Sequence, residues 1–378
     1  MDTVNQYFLR KAQKVSFIEL KKGSHIKIKD YIVKDDVPLP IVTDTLIKEI
    51  KNGRNHEEIN MSHVLEGIIY ILGIDWDFKY KEEYKSILYN YNSKIEEYIL
   101  YRGFKHIQNK NQEDGAIFFR ALTNINNENA EGIFNYALCL ENIFQDFMKK
   151  GKEENAKEFL IESTNQLETI LDISPDFPLA YYKLGYHYKY YEQFLKAKLI
   201  WERYIRQDKD QERLQEVRNE LELITDDVDF EQGLNHLTYG EYELALEKFL
   251  RLVSKHQKWW NILYLTGLAY KGMGEYEKAI DYFYEALELG GKDINVYNEL
   301  GICLFGIGDI NEAIKIFNEG INLDHNDYKI IFNRGIAYLK LGLFEEAIED
   351  INRAYKLNPN DMVVKKQMEQ LKKFEEDI

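Results

Sequence analysis

The clearest structural signal in this chain is GLAYKGMGEYEKAIDYFYEA, residues 267–286. Its marked residues follow Gly267 at offsets of 3, 12, 16 and 19 and are Tyr270, Ala279, Phe283 and Ala286. Offsets that differ by 3 or 4 lie on one face of a helix, and the interval from Tyr270 to Ala279 leaves room for a tight turn. The stretch therefore predicts two antiparallel helices that approach closely at small residues, with large residues filling the space between them.

The same pattern recurs along the chain. GICLFGIGDINEAIKIFNEG (301–320) and GIAYLKLGLFEEAIEDINRA (335–354) repeat it, and in each the glycine of the turn is expected to end the first helix in a left-handed conformation. Together with Gly267, the residues at the equivalent position form the series Gly103, Ala137, Gly185, Gly233, Gly267, Gly301 and Gly335. They are 34, 48, 48, 34, 34 and 34 residues apart, a period that indicates stacked copies of one supersecondary unit.

Two of these intervals contain 14 extra residues. In the unit of Ala137 the extra residues surround the turn-like segment 149–152 and predict two helices, each lengthened by about two turns. In the unit of Gly185 they follow the repeat as QERLQEVRNELELI, residues 211–224, which predicts either an extension of the second helix or an additional helix.

On these residues the chain resembles the tetratricopeptide repeat family, whose unit has this small–aromatic–Ala–Phe–Ala–Pro pattern. The resemblance is strong over 226–361, good at 178–211 and weaker at 96–129. It implies an all-α fold, an α-solenoid in which helix–turn–helix repeats form a right-handed superhelix. The predicted solenoid spans 96–361 and has the units 96–129, 130–177, 178–225, 226–259, 260–293, 294–327 and 328–361. A capping helix is predicted at 362–378.

The first 95 residues do not follow the repeat and are predicted to be a small region that mixes an extended arm with helices. Residues 25–34 partly alternate, as a strand or an extended arm would, and Pro38 and Pro40 are expected to break regular structure. Helices are expected at 43–53, 62–72 and 79–90. The last two are either a degenerate repeat or separate helices, and the arm either caps the solenoid or recruits a partner.

Composition excludes several functional classes. The chain has 49 Lys and Arg against 65 Asp and Glu, a net charge of −16 that argues against binding nucleic acid. No stretch approaches the roughly 20 apolar residues needed for membrane insertion, and the N-terminus lacks a signal-like apolar core, so a cytoplasmic location is expected. The 2 cysteines suffice neither for a disulfide framework nor for a structural zinc site.

No catalytic motif is visible. The sequence contains no glycine-rich phosphate loop, nucleophile elbow or HExxH pattern, and His56 and His63 do not have a familiar metal-ligand spacing. We therefore expect no enzymatic activity, no cofactor and no metal. An enzyme with a site embedded in residues 1–95 is the least favoured alternative.

The resemblance implies where a partner would bind, because first helices line the concave groove of tetratricopeptide arrays. Residues three before, one after and four after the small residue can reach that groove. YYKLGYHYKYY, residues 181–191, places two lysines among several tyrosines on one such helix and is the main candidate for a partner contact. The predicted partner-binding residues are Phe134, Tyr182, Lys183, Tyr186, Lys189, Tyr190, Phe230, Tyr264, Asn298 and Phe332.

The function implied is a non-catalytic adaptor or scaffold that binds a peptide segment or helix of another protein. The two-carboxylate clamp of some family members is disfavoured, because the corresponding groove positions here are apolar and include Leu100, Phe104, Phe134 and Leu138. They favour an apolar peptide, a proline-rich peptide or an amphipathic helix. The alternative is a peptide-sensing regulator that changes conformation when its ligand binds.

Overall fold

The structure is a computed structural model that describes residues 3–43, 47 and 60–376. The chain divides into two compact units, Met1–Asn219 and Glu220–Ile378. Each unit is described by itself below, as unit 1 and unit 2.

Unit 1 begins with a short helical and stranded segment. It comprises helix α1 (Thr3–Leu9), a 3-10 turn (Arg10–Lys14) and the strands β1 (Val15–Ile18), β2 (His25–Ile28), β3 (Tyr31–Lys34) and β4 (Leu39–Val42). Strands β2 and β3 form an antiparallel hairpin, and β1 pairs antiparallel with β4. The alternation at 25–34 is thus confirmed as strand, folded back on itself at Lys29, where φ is 51°.

The prediction that Pro38 and Pro40 break regular structure is wrong for Pro40, which lies within β4 opposite Phe17. Among the described residues, the sheet of β4 has β1 as its second strand and no third, which leaves β4 an edge on which the missing N–H of a proline is tolerated. Strand β4 also lies directly on helix α2 (Met61–Ile74), because a Cβ added at Gly67 would be 2.0 Å from the Pro40 carbonyl oxygen. A glycine at position 67 therefore permits this contact.

The helices expected at 62–72 and 79–90 are confirmed as α2 and α3 (Lys81–Tyr91). Helix α2 packs mainly against β4 and against α5 (Gln112–Ile125). Its side chains join those of the strands in one buried core. The helix expected at 43–53 lies almost entirely outside the described residues.

The rest of unit 1 consists of helical hairpins. They pair α4 (Ile95–Gln108) with α5, α6 (Ala130–Lys149) with α7 (Glu153–Ile173), and α8 (Pro178–Tyr190) with α9 (Phe194–Gln207). Helices α6 and α7 have 20 and 21 residues against 14 in α4 and α5, which confirms the predicted lengthening. The other 14-residue segment forms an additional helix, α10 (Gln211–Leu223), within which the boundary between the two units falls.

Unit 2 is a more regular series of hairpins. Its helices are α11 (Thr225–Thr238), α12 (Tyr242–Lys255), α13 (Trp260–Gly272), α14 (Tyr276–Glu288), α15 (Ile294–Ile307), α16 (Ile310–Leu323), α17 (Tyr328–Leu341), α18 (Phe344–Leu357) and α19 (Met362–Glu376). Consecutive helices pack against each other from α11 to α19. On α19, which lies within the range predicted for the capping helix, Val364 and Met368 are buried.

Close helix approach at the small residues explains the repeated spacing. A Cβ added at Gly267 would lie 2.6 Å from the ring of Phe283, and one added at Gly185 would lie 2.0 Å from the indole nitrogen of Trp201. Since real Cβ contacts are never this short, the aromatic ring 16 residues later occupies the space that a side chain at the glycine would need. The pattern thus encodes the distance between the two helices of a hairpin.

The turns between helices follow from local chemistry as well. Helices α15 and α17 end at Gly308 and Gly342, whose φ values of 92° and 77° are left-handed, as predicted. At the start of two helices an aspartate caps the first turn: Asp309 caps α16 and Asp327 caps α17, each by accepting a hydrogen bond from a backbone N–H group.

The predicted fold class, an all-α solenoid of consecutive helix–turn–helix pairs, is confirmed, with four short strands added in the N-terminal region. The division of 96–361 into seven numbered repeats stays a prediction. None of the helices in the described residues is long and apolar enough to span a bilayer. The cytoplasmic location also stays a prediction.

Candidate functional site

Helix α8 carries most of the predicted contact residues, and its tyrosines pack against one another. The ring of Tyr182 lies edge-on to that of Tyr186, with centroids 5.2 Å apart, and Tyr186 lies edge-on to Trp201 at 5.0 Å. Both tyrosines are half-buried. Trp201 is fully buried and donates its indole N–H to the Tyr182 carbonyl oxygen at 3.1 Å. The buried ring of α9 therefore holds this stretch of α8 in place.

The hydroxyls of the same two tyrosines bind a carboxylate from the additional helix. Tyr182 donates to Glu216 Oε1 on α10 at 3.0 Å, and Tyr186 donates to the same oxygen. Burial and these hydrogen bonds to Glu216 raise the pKa of both tyrosines above the ordinary value of 10.0. Both phenols consequently remain protonated donors at neutral pH, and Tyr186 joins α8 to α10.

Lys183, predicted as a cationic contact, instead forms an ion pair with Glu141 on α6, the first helix of the preceding hairpin. Its Nζ lies 2.6 Å from Glu141 Oε2. The second oxygen of Glu141 lies 3.1 Å from His187 Nε2, and His187 Nδ1 lies 2.9 Å from Thr164 Oγ1 on α7. His187 is only 5% exposed. One carboxylate thus joins two first helices through a lysine and a buried histidine.

Glu141 is ionised in this setting. Burial opposes its ionisation, but the hydrogen bond from His187 and the charge of Lys183 outweigh burial and lower its pKa below the ordinary 4.5. An ionised carboxylate only accepts hydrogen bonds, so the proton between Glu141 and His187 is on Nε2 of the imidazole. The negative charge of Glu141 is therefore compensated on both of its oxygens.

Beside this cluster lies a cavity of about 230 Å³ between α6, α7 and α8. Its lining combines three aromatic rings with polar groups and consists of Glu141, Asn142, Phe144, Gln145, Leu160, Tyr186, His187 and Tyr190. Tyr190 is 47% exposed and lies edge-on to buried Phe144, with ring centroids 5.5 Å apart. The cavity brings together Tyr186 and Tyr190, two of the predicted contacts.

The remaining predicted residues of unit 1 are placed differently. Phe134 on α6 is buried, with its ring 5.2 Å from that of Phe177. Lys189 is half-buried on α8. Neither is among the residues that line the cavity.

Two predicted residues of unit 2 contribute to aromatic packing. Phe230 on α11 stacks on Trp259, with centroids 5.4 Å apart and planes at 21°. Tyr264 on α13 contacts the buried ring of Phe283 at 5.9 Å. Burial, with smaller contributions from Glu299 and Asp293, raises the pKa of Tyr264 to about 12.

The other two predicted residues of unit 2, Asn298 and Phe332, line a second cavity of about 290 Å³ between α15, α17 and α19. Asn298 accepts a hydrogen bond from the side-chain amide of Asn333 at 2.8 Å. Val363, also in the lining, is 66% exposed. Unit 2 thus has its own candidate surface, which shares no residue with the cavity of unit 1.

Sequence reasoning did not identify Glu141, His187 or Glu216 as site residues. Glu141 had a usable signal, since it lies four residues after Ala137, a position that the family resemblance directs to the groove. His187 had no such signal, because it lies two residues after Gly185, a position that the resemblance does not direct to the groove. Glu216 had no signal, because its contact depends on how the additional helix lies against α8.

The described residues were expected to hold no metal, and their acidic, histidine and cysteine side chains are placed as follows. Within 3–43, 47 and 60–376, no group of three or more His, Cys, Asp or Glu side chains is placed to hold a metal ion. Cys139 and Cys303 are both buried, and burial raises the pKa of each thiol to about 12. Both thiols are therefore protonated and unreactive at neutral pH.

Comparison with protein families identifies the repeats. One model described as tetratricopeptide repeat matches residues 328–361, and a second of the same description matches residues 260–326. The chain therefore contains tetratricopeptide repeats at residues 260–326 and 328–361. Both matches lie in unit 2, the regular part of the chain. No curated protein matches the sequence.

Solved structures similar to this chain include MamA AMB-1, with 20% identity over 49% of this chain and 94% of that one and a TM-score of 0.36. The first tetratricopeptide domain of Spaghetti (RPAP3), bound to an HSP90 peptide, has 22% identity over 30% and 90% and a TM-score of 0.29. YrrB, a tetratricopeptide protein with an unusual peptide-binding site, has 18% identity over 66% and 97% and a TM-score of 0.28. At these scores the similarities carry no conclusion about what this chain binds.

Proposed function

We propose that this protein is a non-catalytic interaction module that binds a peptide segment of another protein on the first helices of unit 1. The observation that carries the proposal is the cavity between α6, α7 and α8, where Phe144, Tyr186 and Tyr190 surround a space of about 230 Å³. Aromatic side chains bury large areas at little cost in conformational entropy, which suits a binding surface. The presence of tetratricopeptide repeats in the chain agrees with such a role.

The contact surface that we propose is narrower than the sequence prediction. It keeps Tyr186 and Tyr190, which line the cavity, and adds Asn142 and Gln145, whose exposed amides lie at its edge. Phe134 is left out because its ring is buried against Phe177. Tyr182 and Lys183 act indirectly, through Glu216 and Glu141.

The experiment is a selection of peptides from a random displayed library on the full chain. Gln145→Trp places a large ring at the edge of the cavity, and Asn165→Trp, on the exposed face of α7, is the matched control. We expect selected peptides to lose binding at least tenfold on Gln145→Trp and to keep it on Asn165→Trp. Peptides that bind both variants equally would contradict the proposed site.

One contact favours the alternative function, a peptide-sensing regulator. The ring of Tyr186 lines the cavity, while its hydroxyl binds Glu216 on α10. A ligand that moves this ring would weaken the contact with α10. The test is amide hydrogen exchange of residues 211–223 with and without a selected peptide; unchanged exchange at saturation would count against regulation and leave the adaptor function in place.

A further inference from the structure

We infer that the cavity of unit 1 takes one neutral, aromatic or branched apolar side chain of the bound peptide, and rejects a cationic one. This inference rests on the proposed function and names the chemistry of its anchor residue. An aromatic cavity with a glutamate in its wall would ordinarily suggest a lysine or arginine anchor, held by the carboxylate and the ring faces. The contacts of Glu141 argue against that choice.

The charge of Glu141 is already matched within the protein. Lys183 Nζ lies 2.6 Å from one carboxylate oxygen, and His187 Nε2 donates to the other across 3.1 Å. A cationic anchor that reached Glu141 would therefore stand beside the ammonium of Lys183, and like charges at short distance repel strongly where solvent is partly excluded. A neutral side chain meets no such repulsion, so charge complementarity favours an uncharged occupant.

The size of the cavity sets the second limit. Its volume of about 230 Å³ exceeds the roughly 150 Å³ of an engineered apolar cavity that admits benzene. It is smaller than the approximately 300–1,000 Å³ typical of sites for whole cofactors or drug-sized ligands. The space thus suits a single ring or branched aliphatic group rather than a free cofactor.

The walls agree with such an occupant. Phe144 and Leu160 are buried and form the apolar base, and Tyr186 is fixed by Trp201 and Glu216. Tyr190 forms the exposed side of the cavity. An apolar side chain that enters would contact carbon on several sides, while the amides of Asn142 and Gln145 lie where the peptide backbone would pass.

The test uses the peptides selected above, with each residue replaced in turn to find the anchor. We expect one Trp, Phe, Tyr, Leu or Ile whose change to Arg or Glu weakens binding to the full chain at least tenfold. Lys183→Met removes the competing cation, and we expect it to restore binding of the Arg-substituted peptide at least partly. Asn165→Trp serves as the control that leaves both peptides unaffected.

The outcomes separate the two proposals. Peptides that lose binding on Gln145→Trp but share an Arg, Lys, Asp or Glu anchor would overturn this inference and leave the proposed function standing. Peptides indifferent to Gln145→Trp would overturn both. Failure of Lys183→Met to improve the Arg-substituted peptide, in a variant with unchanged thermal stability, would show that charge matching at Glu141 does not set the preference.

Discussion

Units 1 and 2 each have an ion pair between consecutive first helices, and the two pairs are built from different residues. In unit 1, Glu141 and Lys183 pair across consecutive first helices, and at the equivalent positions of unit 2 the pair is Lys271 and Glu299, with the signs exchanged. Side-chain exposures are almost identical: Glu141 and Glu299 are 19% and 18% exposed, and both lysines are 29% exposed. An ion pair at these two positions therefore links consecutive first helices, whichever of the two helices carries the acidic residue.

What differs is the residue beside the pair. Two positions after the repeat glycine, unit 1 has His187, whose Nε2 donates to Glu141, and unit 2 has the buried thiol of Cys303. Unit 1 also carries an additional helix, and two of its three hairpin turns place Lys110 or Glu192, rather than a glycine, in the left-handed conformation. Unit 2, which contains both family matches, is the more regular of the two units.

The largest effect is expected from the buried rings that both units share. Trp201→Ala and Phe283→Ala each remove a fully buried ring from beneath a repeat glycine, at a cost of about 3–5 kcal/mol. Trp201→Ala also leaves the Tyr182 carbonyl without its indole donor. Hydrogen exchange should show lost protection in α8 and α9 for Trp201→Ala, and in α13 and α14 for Phe283→Ala. Unchanged protection beside either substitution would contradict this packing.

The next effect compares the two ion pairs. Glu141→Gln leaves both Lys183 and His187 without their carboxylate, whereas Glu299→Gln leaves only Lys271. We expect losses of about 2 and about 1 kcal/mol in the free energy of unfolding, measured with urea at pH 7. Equal losses would mean that His187 adds nothing to the network of unit 1.

The same two variants also test how the free energy of unfolding depends on pH. The pKa of Glu141 is lower in the folded protein than its ordinary value of 4.5, so its contribution is present above that value and is lost as pH falls through the folded pKa. Between about pH 5 and pH 3, stability should fall less in Glu141→Gln than in the unchanged chain. Glu299→Gln should retain the component due to Glu141. Parallel curves for Glu141→Gln and the unchanged chain would refute this assignment.

A smaller effect concerns the additional helix. Glu216→Gln weakens the bonds from Tyr182 and Tyr186, and because Glu216 is exposed we expect a loss of about 1 kcal/mol or less. Faster hydrogen exchange in α10 is the more sensitive measurement. Arg218→Gln, at an exposed position in the middle of the same helix, is the control and should change neither quantity. Indistinguishable exchange in the two variants would argue against the contact.

The smallest effect lies in the turns. Lys110 and Glu192 adopt left-handed φ values of 60° and 57° in unit 1, where the hairpin turns of unit 2 have Gly240, Gly274, Gly308 and Gly342. Gly308→Ala should cost about 1 kcal/mol, because a Cβ is strained there although the space around it is open. Glu192→Gly should be neutral or stabilise by a few tenths of a kcal/mol, as relief of strain and added chain entropy largely offset. Thermal unfolding measures both changes: the melting temperature should fall for Gly308→Ala and should stay the same or rise slightly for Glu192→Gly.

The helical hairpins and the lengthening of α6 and α7 were predictable because they follow from periodic spacing, which is a local property of the sequence. Pro40 shows where local rules fail, since its effect depends on whether the strand has a free edge. The neighbours of Tyr186 were unpredictable for a related reason. Trp201 lies 15 residues away and follows from the repeat, but Glu216 lies 30 residues away on a helix outside it.

In the candidate site, too, local sequence position predicted some features, and contacts between helices determine the others. Tyr186 and Tyr190 were found from their position on a first helix and their residue type, and both line the cavity. Lys183 was found by the same reasoning, but the sequence did not show that Glu141 neutralises it. The charge that a ligand meets depends on pairs formed across helices, and a spacing rule for one helix cannot supply those pairs.

The fixation of Tyr186 affects how binding energy would be divided between the two tyrosines of the cavity. Its ring is held edge-on to Trp201 and its hydroxyl is bound to Glu216, so its rotamer is set before any ligand arrives. Tyr190 is 47% exposed, and its ring contacts those of Phe144 and Tyr191 without an anchor comparable to the bond between Tyr186 and Glu216. Ordering such a side chain on association costs about 0.5–1.5 kcal/mol. One wall of the cavity is therefore preorganised, and the opposite wall carries an entropic penalty that a ligand must overcome.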